Sequence, residues 1–280
     1  MQNTSGLTRL ALAAAAAITL AACGGTKSVS QDTTPPGSTT VTALAVTSDG
    51  ICAIVSGAAK CWGANSYGRL GDGTTKQRSK TVQVKGLEIG VTAITNSATH
   101  ACAVVSGAAK CWGANDRGQL GNGTTSDSST PVQVKGLESD VTAMSAGNGY
   151  TCAVVSGAAK CWGYNLDGAL GSGDTAYSTT PVQVVGLESG VTEISLGEGM
   201  TCAGVNGAVK CWGAIANFRC EKVGKSGSTC TDGISPTPVQ VVGLESGATA
   251  IAAGKWYSCA VVSGAAKCWG KNFDGLVNGL

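Results

Sequence analysis

The sequence predicts an all-β chain built from about five copies of one unit of roughly fifty residues, arranged as a β-propeller or β-solenoid. Three observations predict this. First, a cysteine-bounded block recurs: CAIVSGAAKCWGAN from Cys52, CAVVSGAAKCWGAN from Cys102, CAVVSGAAKCWGYN from Cys152, CAGVNGAVKCWGAI from Cys202 and CAVVSGAAKCWGKN from Cys259, at spacings of 50, 50, 50 and 57 residues. Second, glycine supplies 42 of 280 residues, as suits many tight turns in which only glycine enters positive φ without steric cost. Third, no heptad or sustained 3.6-residue apolar pattern follows residue 23. The units span 41–90, 91–140, 141–190 and 191–247, with a partial fifth at 248–280. Each full unit also carries a Val-Gln-Val run (Val82–Val84, Val132–Val134, Val182–Val184, Val239–Val241) and a Gly-Leu-Glu before the next strand.

Residues 1–22 read as a secretory signal peptide. One charge, Arg9, precedes an apolar run from Leu10 to Ala22, too short for a spanning helix of about 20 residues. Leu20-Ala21-Ala22-Cys23 resembles the lipobox of bacterial lipoproteins. That resemblance implies that Cys23 is lipidated and becomes the mature N-terminus; ordinary cleavage near the same site is the alternative. Residues 23–40 are rich in Gly, Ser, Thr and Pro, without periodicity, and read as a flexible tether. The expected location is therefore outside the cytoplasm, on a bacterial membrane.

The central block reads as a β-hairpin. Ser56-Gly57 sits midway between Cys52 and Cys61, and the fourth copy replaces it with Asn206-Gly207, the strongest two-residue hairpin signal. This register pairs Val55 with Ala58 and sets Cys52 opposite Cys61 at a non-hydrogen-bonded pair, where Cα atoms approach to about 4.5 Å. That distance suits a disulfide. The same arithmetic pairs Cys102 with Cys111, Cys152 with Cys161, Cys202 with Cys211 and Cys259 with Cys268. Cys220 and Cys230 remain and are expected to pair with each other. Thirteen cysteines leave one over, and Cys23 as the lipidated residue accounts for it. A metal site is not expected, because the chain has one His and no C-x-x-C pair.

The stretches Trp62–Gly73, Trp112–Gly123 and Trp162–Gly173 each spell Trp-Gly-x-Asn-x-x-Gly-x-Leu-Gly-x-Gly. With the cysteine hairpin before them and the PVQV strand after, they resemble the RCC1-type repeat, named for the regulator of chromosome condensation, in the cysteine-paired version of exported bacterial proteins. The resemblance covers 41–280 and implies an RCC1-like β-propeller of four-stranded blades. Such rings usually have about seven blades. Four full units and a fifth that stops at Leu280 give about five blades, compatible with an incomplete ring or an open arc. The fourth unit departs further, replacing the Asn-x-x-Gly-x-Leu-Gly motif with an insertion, Phe218–Thr231.

No catalytic constellation is legible, and the chain is read as a non-enzyme without cofactor or metal. The lone His100 occupies a place held elsewhere by Gly50, Tyr150, Met200 and Tyr257, which reads as packing or surface and not as a general base. Glu88, Glu138, Glu188 and Glu245 recur at one place per unit and read as turn charges. A net charge of +2 gives no field favouring nucleic acid. Scaffold positions are fixed by the repeat, so places where copies differ point to a binding surface. Tyr67, Arg117, Tyr150, Phe218, Arg219, Trp256 and Tyr257 are the candidates. The functional expectation is a membrane-anchored extracytoplasmic binding module for a protein or glycan. A protein inhibitor and an envelope-polymer enzyme are the alternatives. Nucleotide exchange on a GTPase and chromatin binding, known for the family's best-known member, are not carried over, because the shared motifs are scaffold motifs and a signal peptide takes the chain away from both partners.

Overall fold

The computed structural model describes residues 40–215, 233–255 and 257–270. Cys23, the Cys220–Cys230 pair, Phe218, Arg219 and Trp256 lie outside the described residues. Contacts divide the chain into Met1–Ser38 and Thr39–Leu280, and every described residue belongs to the second unit.

The described residues form five antiparallel sheets, which we call blades. Blade 1 comprises β1 (Val41–Val46), β2 (Gly50–Val55), β3 (Ala58–Gly63) and β4 (Arg78–Gln83). Blade 2 comprises β5 (Val91–Asn96), β6 (His100–Val105), β7 (Ala108–Gly113) and β8 (Ser128–Gln133). Blade 3 comprises β9 (Val141–Ala146), β10 (Tyr150–Val155), β11 (Ala158–Gly163) and β12 (Ser178–Gln183). Blade 4 comprises β13 (Val191–Leu196), β14 (Met200–Val205), β15 (Ala208–Ala214) and β16 (Ile234–Gln240). Blade 5 shows β17 (Ala248–Ala253), β18 (Tyr257–Val262) and β19 (Ala265–Gly270). Strands follow chain order within each sheet.

The second and third strands have the register that the turn dictates: Val55 faces Ala58, Ala53 faces Lys60, and Cys52 faces Cys61. Ser56 and Gly57 both take positive φ, 50° and 80°, as a turn matched to strand twist requires. Five disulfides close these hairpins: Cys52–Cys61, Cys102–Cys111, Cys152–Cys161, Cys202–Cys211 and Cys259–Cys268, with Cα atoms 4.0–4.1 Å apart. First and second strands are joined across a bulge at each Val-Thr pair. In blade 2, the register shifts between Val91 and Ala93, and the Thr92 hydroxyl donates to Val104 O.

Each blade has two working faces. The trailing face carries the disulfide and packs on the next blade. The leading face carries the tryptophan and packs on the blade before. Between blades 1 and 2, Cys52, Ile54, Cys61, Leu70, Val84 and Leu87 receive Ala101, Ala103 and Trp112. The same cluster recurs around Trp162 and around Trp212. The core is thus a series of shared layers between successive blades, as in repeat proteins whose single units cannot bury their own apolar faces.

Candidate functional site

The repeated motif is the joint between blades. Trp112 Nε1–H donates to Arg69 O at 2.8 Å, Trp162 to Gln119 O at 2.9 Å, and Trp212 to Ala169 O at 2.8 Å. The acceptor is always the residue before Leu in the preceding blade's Gly-x-Leu-Gly. The glycine after that Leu is required by close approach. A Cβ on Gly121 would stand 2.6 Å from Trp162 Nε1, in a backbone already at φ +68°. The loop also reaches the next blade's fourth strand, where Gly73 N–H donates to Ser129 O and Gly123 N–H to Thr179 O, both at 2.9 Å.

Asn65 holds the loop in shape. Its Oδ1 accepts from Leu70 N–H at 2.9 Å, and its Nδ2 donates to Thr74 O and Lys76 O at 3.0 Å. Asn115 and Asn165 repeat this pattern. The Gln of each Val-Gln-Val has a role that its spacing alone does not announce. Gln83 Nε2 lies 3.0 Å from each of Ala59 O, Val84 O and Leu87 O, and so ties the third strand to the turn after the fourth. Glu88, Glu138, Glu188 and Glu245 each accept from a glycine N–H two residues earlier, which is a turn role.

The structure separates the candidate binding residues. Tyr67 is exposed at φ 60°, on the short 3-10 turn Ser66–Gly68. Tyr257 is exposed at the start of β18. Tyr150 is a correction: its ring is fully buried, and its hydroxyl lies 2.8 Å from Met200 O and 3.2 Å from Gly197 O in blade 4. It is a strut between blades and is closed to outside contact. His100 is also interior. Its Nε2 lies 2.8 Å from Thr151 Oγ1, and its Nδ1 lies 2.8 Å from Ser97 Oγ. Thr151 gives its hydroxyl proton to Gln119 O at 2.9 Å, so His100 Nε2 must be the donor and Nδ1 the acceptor. Burial pushes the imidazole pKa down to about 4, so the ring is neutral and structural.

Arg117 belongs to a group that the sequence reading did not assemble. Its Cζ lies 4.7 Å over the ring of Tyr164. Tyr164 in turn meets Tyr177 with ring centroids 5.1 Å apart and planes tilted by 58°. Tyr177 is 45 % exposed, and Arg117 is partly so. Burial, with Asp167 and Tyr177 adding to it, holds the Tyr164 phenol above its ordinary pKa, so it stays a neutral donor. The same places hold Ala64 and Gln77 in blade 1, and Ala114 and Asp127 in blade 2. Two tyrosines that touch have therefore entered one copy together. The visible signal was the change from CWGAN to CWGYN at Tyr164; that Tyr177 would meet it depends on loop closure thirteen residues on.

Among the described residues, no group of three or more His, Cys, Asp or Glu side chains is placed to hold a metal, and no helix is long and apolar enough to cross a membrane. Five disulfides are a feature of oxidising compartments.

A sequence comparison with curated proteins finds no match. Solved structures of similar fold include human WBSCR16, with a TM-score of 0.69 at 16 % identity, covering 84 % of this chain and 63 % of that one. Yeast RCC1 (Prp20) bound to Kap60 gives 0.66 at 22 % identity, covering 82 % and 56 %. Prp20p from Saccharomyces cerevisiae gives 0.67 at 22 % identity, covering 82 % and 58 %. The chain thus spans about three fifths of the length of these structures. The family model "Regulator of chromosome condensation (RCC1) repeat" matches residues 57–104, 107–154 and 157–203, just over half of the chain. Those segments contain the Trp112–Arg69 and Trp162–Gln119 joints described above, and the chain belongs to the RCC1 repeat family.

Proposed function

We propose that this chain is a membrane-anchored, extracytoplasmic interaction module that binds a protein or glycan partner through loops carried on its stapled repeats. The observation that carries the reading is the Arg117–Tyr164–Tyr177 group. Arg and Tyr are the side chains that most often anchor interfaces, since they offer large, stiff contact area with a polar handle. Blade 3 carries the two tyrosines where blade 1 has Ala64 and Gln77 and blade 2 has Ala114 and Asp127, so the group is particular to this copy of the repeat. Five disulfides support an oxidising location, and Cys23 with the tether that follows it supports attachment to a membrane by lipid. A protein partner also suits the fold, since yeast RCC1 has been solved bound to the protein Kap60.

The chain is read as a non-enzyme; protein inhibition is a special case of the same reading. A photo-crosslinking residue placed at Tyr177 in intact cells tests it, with Glu138, a repeated turn residue, as the control position. A discrete adduct from position 177 and none from position 138 is expected. No adduct from either position, or the same adducts from both, would overturn the assignment of the surface.

A further inference from the structure

The described residues contain three Asn-Gly pairs: Asn122-Gly123, Asn148-Gly149 and Asn206-Gly207. Asparagine is a thermolabile residue, and a following glycine opens a route for its loss. The glycine nitrogen attacks the asparagine side-chain carbonyl, with no Cβ on the glycine to obstruct it. A nitrogen whose proton already serves a hydrogen bond is held back, since that bond must break first.

The fold treats the three pairs differently. Gly123 N–H donates to Thr179 O in blade 3 at 2.9 Å. The Asn122 carboxamide is held as well: its Oδ1 accepts from Thr124 N–H at 3.1 Å and from the Thr124 hydroxyl at 2.8 Å. Gly149 is buried, and its N–H donates to Gly147 O at 3.0 Å. Asn206-Gly207 is the turn between β14 and β15, where the other blades hold Ser56, Ser106, Ser156 and Ser263. Serine has no side-chain carbonyl to attack, so blade 4 carries the reactive pair at a place where the other hairpins have none. Asn206 is exposed. Among the described residues, neither its carboxamide nor the Gly207 N–H has a hydrogen-bond partner.

We propose that Asn206 is a site of spontaneous deamidation and isoaspartate formation in the folded chain. The Gly207 nitrogen releases its proton and bonds to Asn206 Cγ. The Cγ–Nδ2 bond breaks, and Nδ2 leaves as ammonia, taking up a proton in place of the one released. The cyclic imide that remains takes up one water, which opens it at either carbonyl. One opening leaves aspartate. The other routes the backbone through the former side chain and leaves isoaspartate. Both products carry a new carboxylate. Isoaspartate also lengthens a turn whose two-residue length sets the register of the hairpin. The Cys202–Cys211 disulfide keeps the two strands joined through the change. The contact that suffers is made by Gly207 O, which accepts from Ala248 N–H at 2.8 Å at the start of β17.

The test ages the full chain, exported so that its disulfides form, in mildly alkaline buffer. Peptide mass spectrometry resolves each Asn-Gly site, and enzymatic methylation of isoaspartate gives a second readout. The same chain, reduced and denatured, is the control, in which all three pairs are expected to convert at similar rates. In the folded chain, conversion at Asn206 is expected to outrun that at Asn122 and Asn148 by roughly tenfold, because a backbone hydrogen bond must open first at each of those two. A folded chain whose Asn206 stays intact while the control converts would overturn the proposal. Equal conversion of the three sites in the folded chain would overturn it too, since the fold would then select none of them.

Discussion

At the scale of single residues, glycines and one histidine carry the clearest consequences. Gly121 sits where a Cβ would stand within 3 Å of the Trp162 indole and of Val134, at φ +68°. Gly121→Ala combines overpacking with a left-handed backbone, and we expect a loss of roughly 2–4 kcal/mol in a denaturant titration. Gly136 is the control, since its Cβ would meet nothing within 4 Å, and there only the backbone cost of about 1 kcal/mol remains. His100 gives the chain an acid-sensitive joint. Its folded pKa, about 4, lies below the ordinary 6.5, so the unfolded chain takes up the proton first as pH falls. Stability contributed by the neutral ring is complete above pH 6.5, falls between 6.5 and 4, and is gone below 4. A shift of this size corresponds to about 3 kcal/mol. His100→Met, which installs the residue blade 4 uses at Met200, should abolish that slope in melts taken across the same pH range.

At the scale of elements, the hairpin is the unit that the sequence reads most directly. A two-residue turn leaves one register, and one register leaves one set of cysteine pairs, so Cys52–Cys61 and its four equivalents follow from spacing and turn chemistry. What spacing does not give is which face of a strand meets another blade. Tyr150 reads as a contact-making residue because the copies differ at its place, where the others hold Gly50, His100, Met200 and Tyr257. It is buried because its strand faces blade 4, a relation between residues about fifty apart. Tyr164 and Tyr177 escaped notice together for the same reason, since the loop that joins them is closed by the side chain of Asn165. Exposure also orders the disulfides. Four of them lie in shared layers between blades, while Cys259 and Cys268 are partly open. Among the five described disulfides, graded reduction followed by alkylation and mass spectrometry should label Cys259 and Cys268 first. Cys102→Ser with Cys111→Ser should cost about 2–3 kcal/mol, the value of closing a loop of that length in the chain-entropy account.

At the scale of the whole molecule, stability and recognition are assigned to different positions of the same repeat. Trp, Asn, Gln, the disulfide and the loop glycines recur because every blade must join the next. They would serve any member of the family equally well and carry no information about a partner. We assign recognition to positions outside the joint, two of which, Tyr164 and Tyr177, have changed together in blade 3. The measurement that tests this division most directly gives blade 3 the blade 2 residues at these two places, with Tyr164→Ala and Tyr177→Asp, and follows two readouts: the melting temperature and the partner captured by a chemical crosslinker in intact cells. The account predicts a melting temperature within a few degrees of wild type and loss of the crosslinked partner. A variant that keeps its partner, or one that loses the partner only by unfolding, would contradict it.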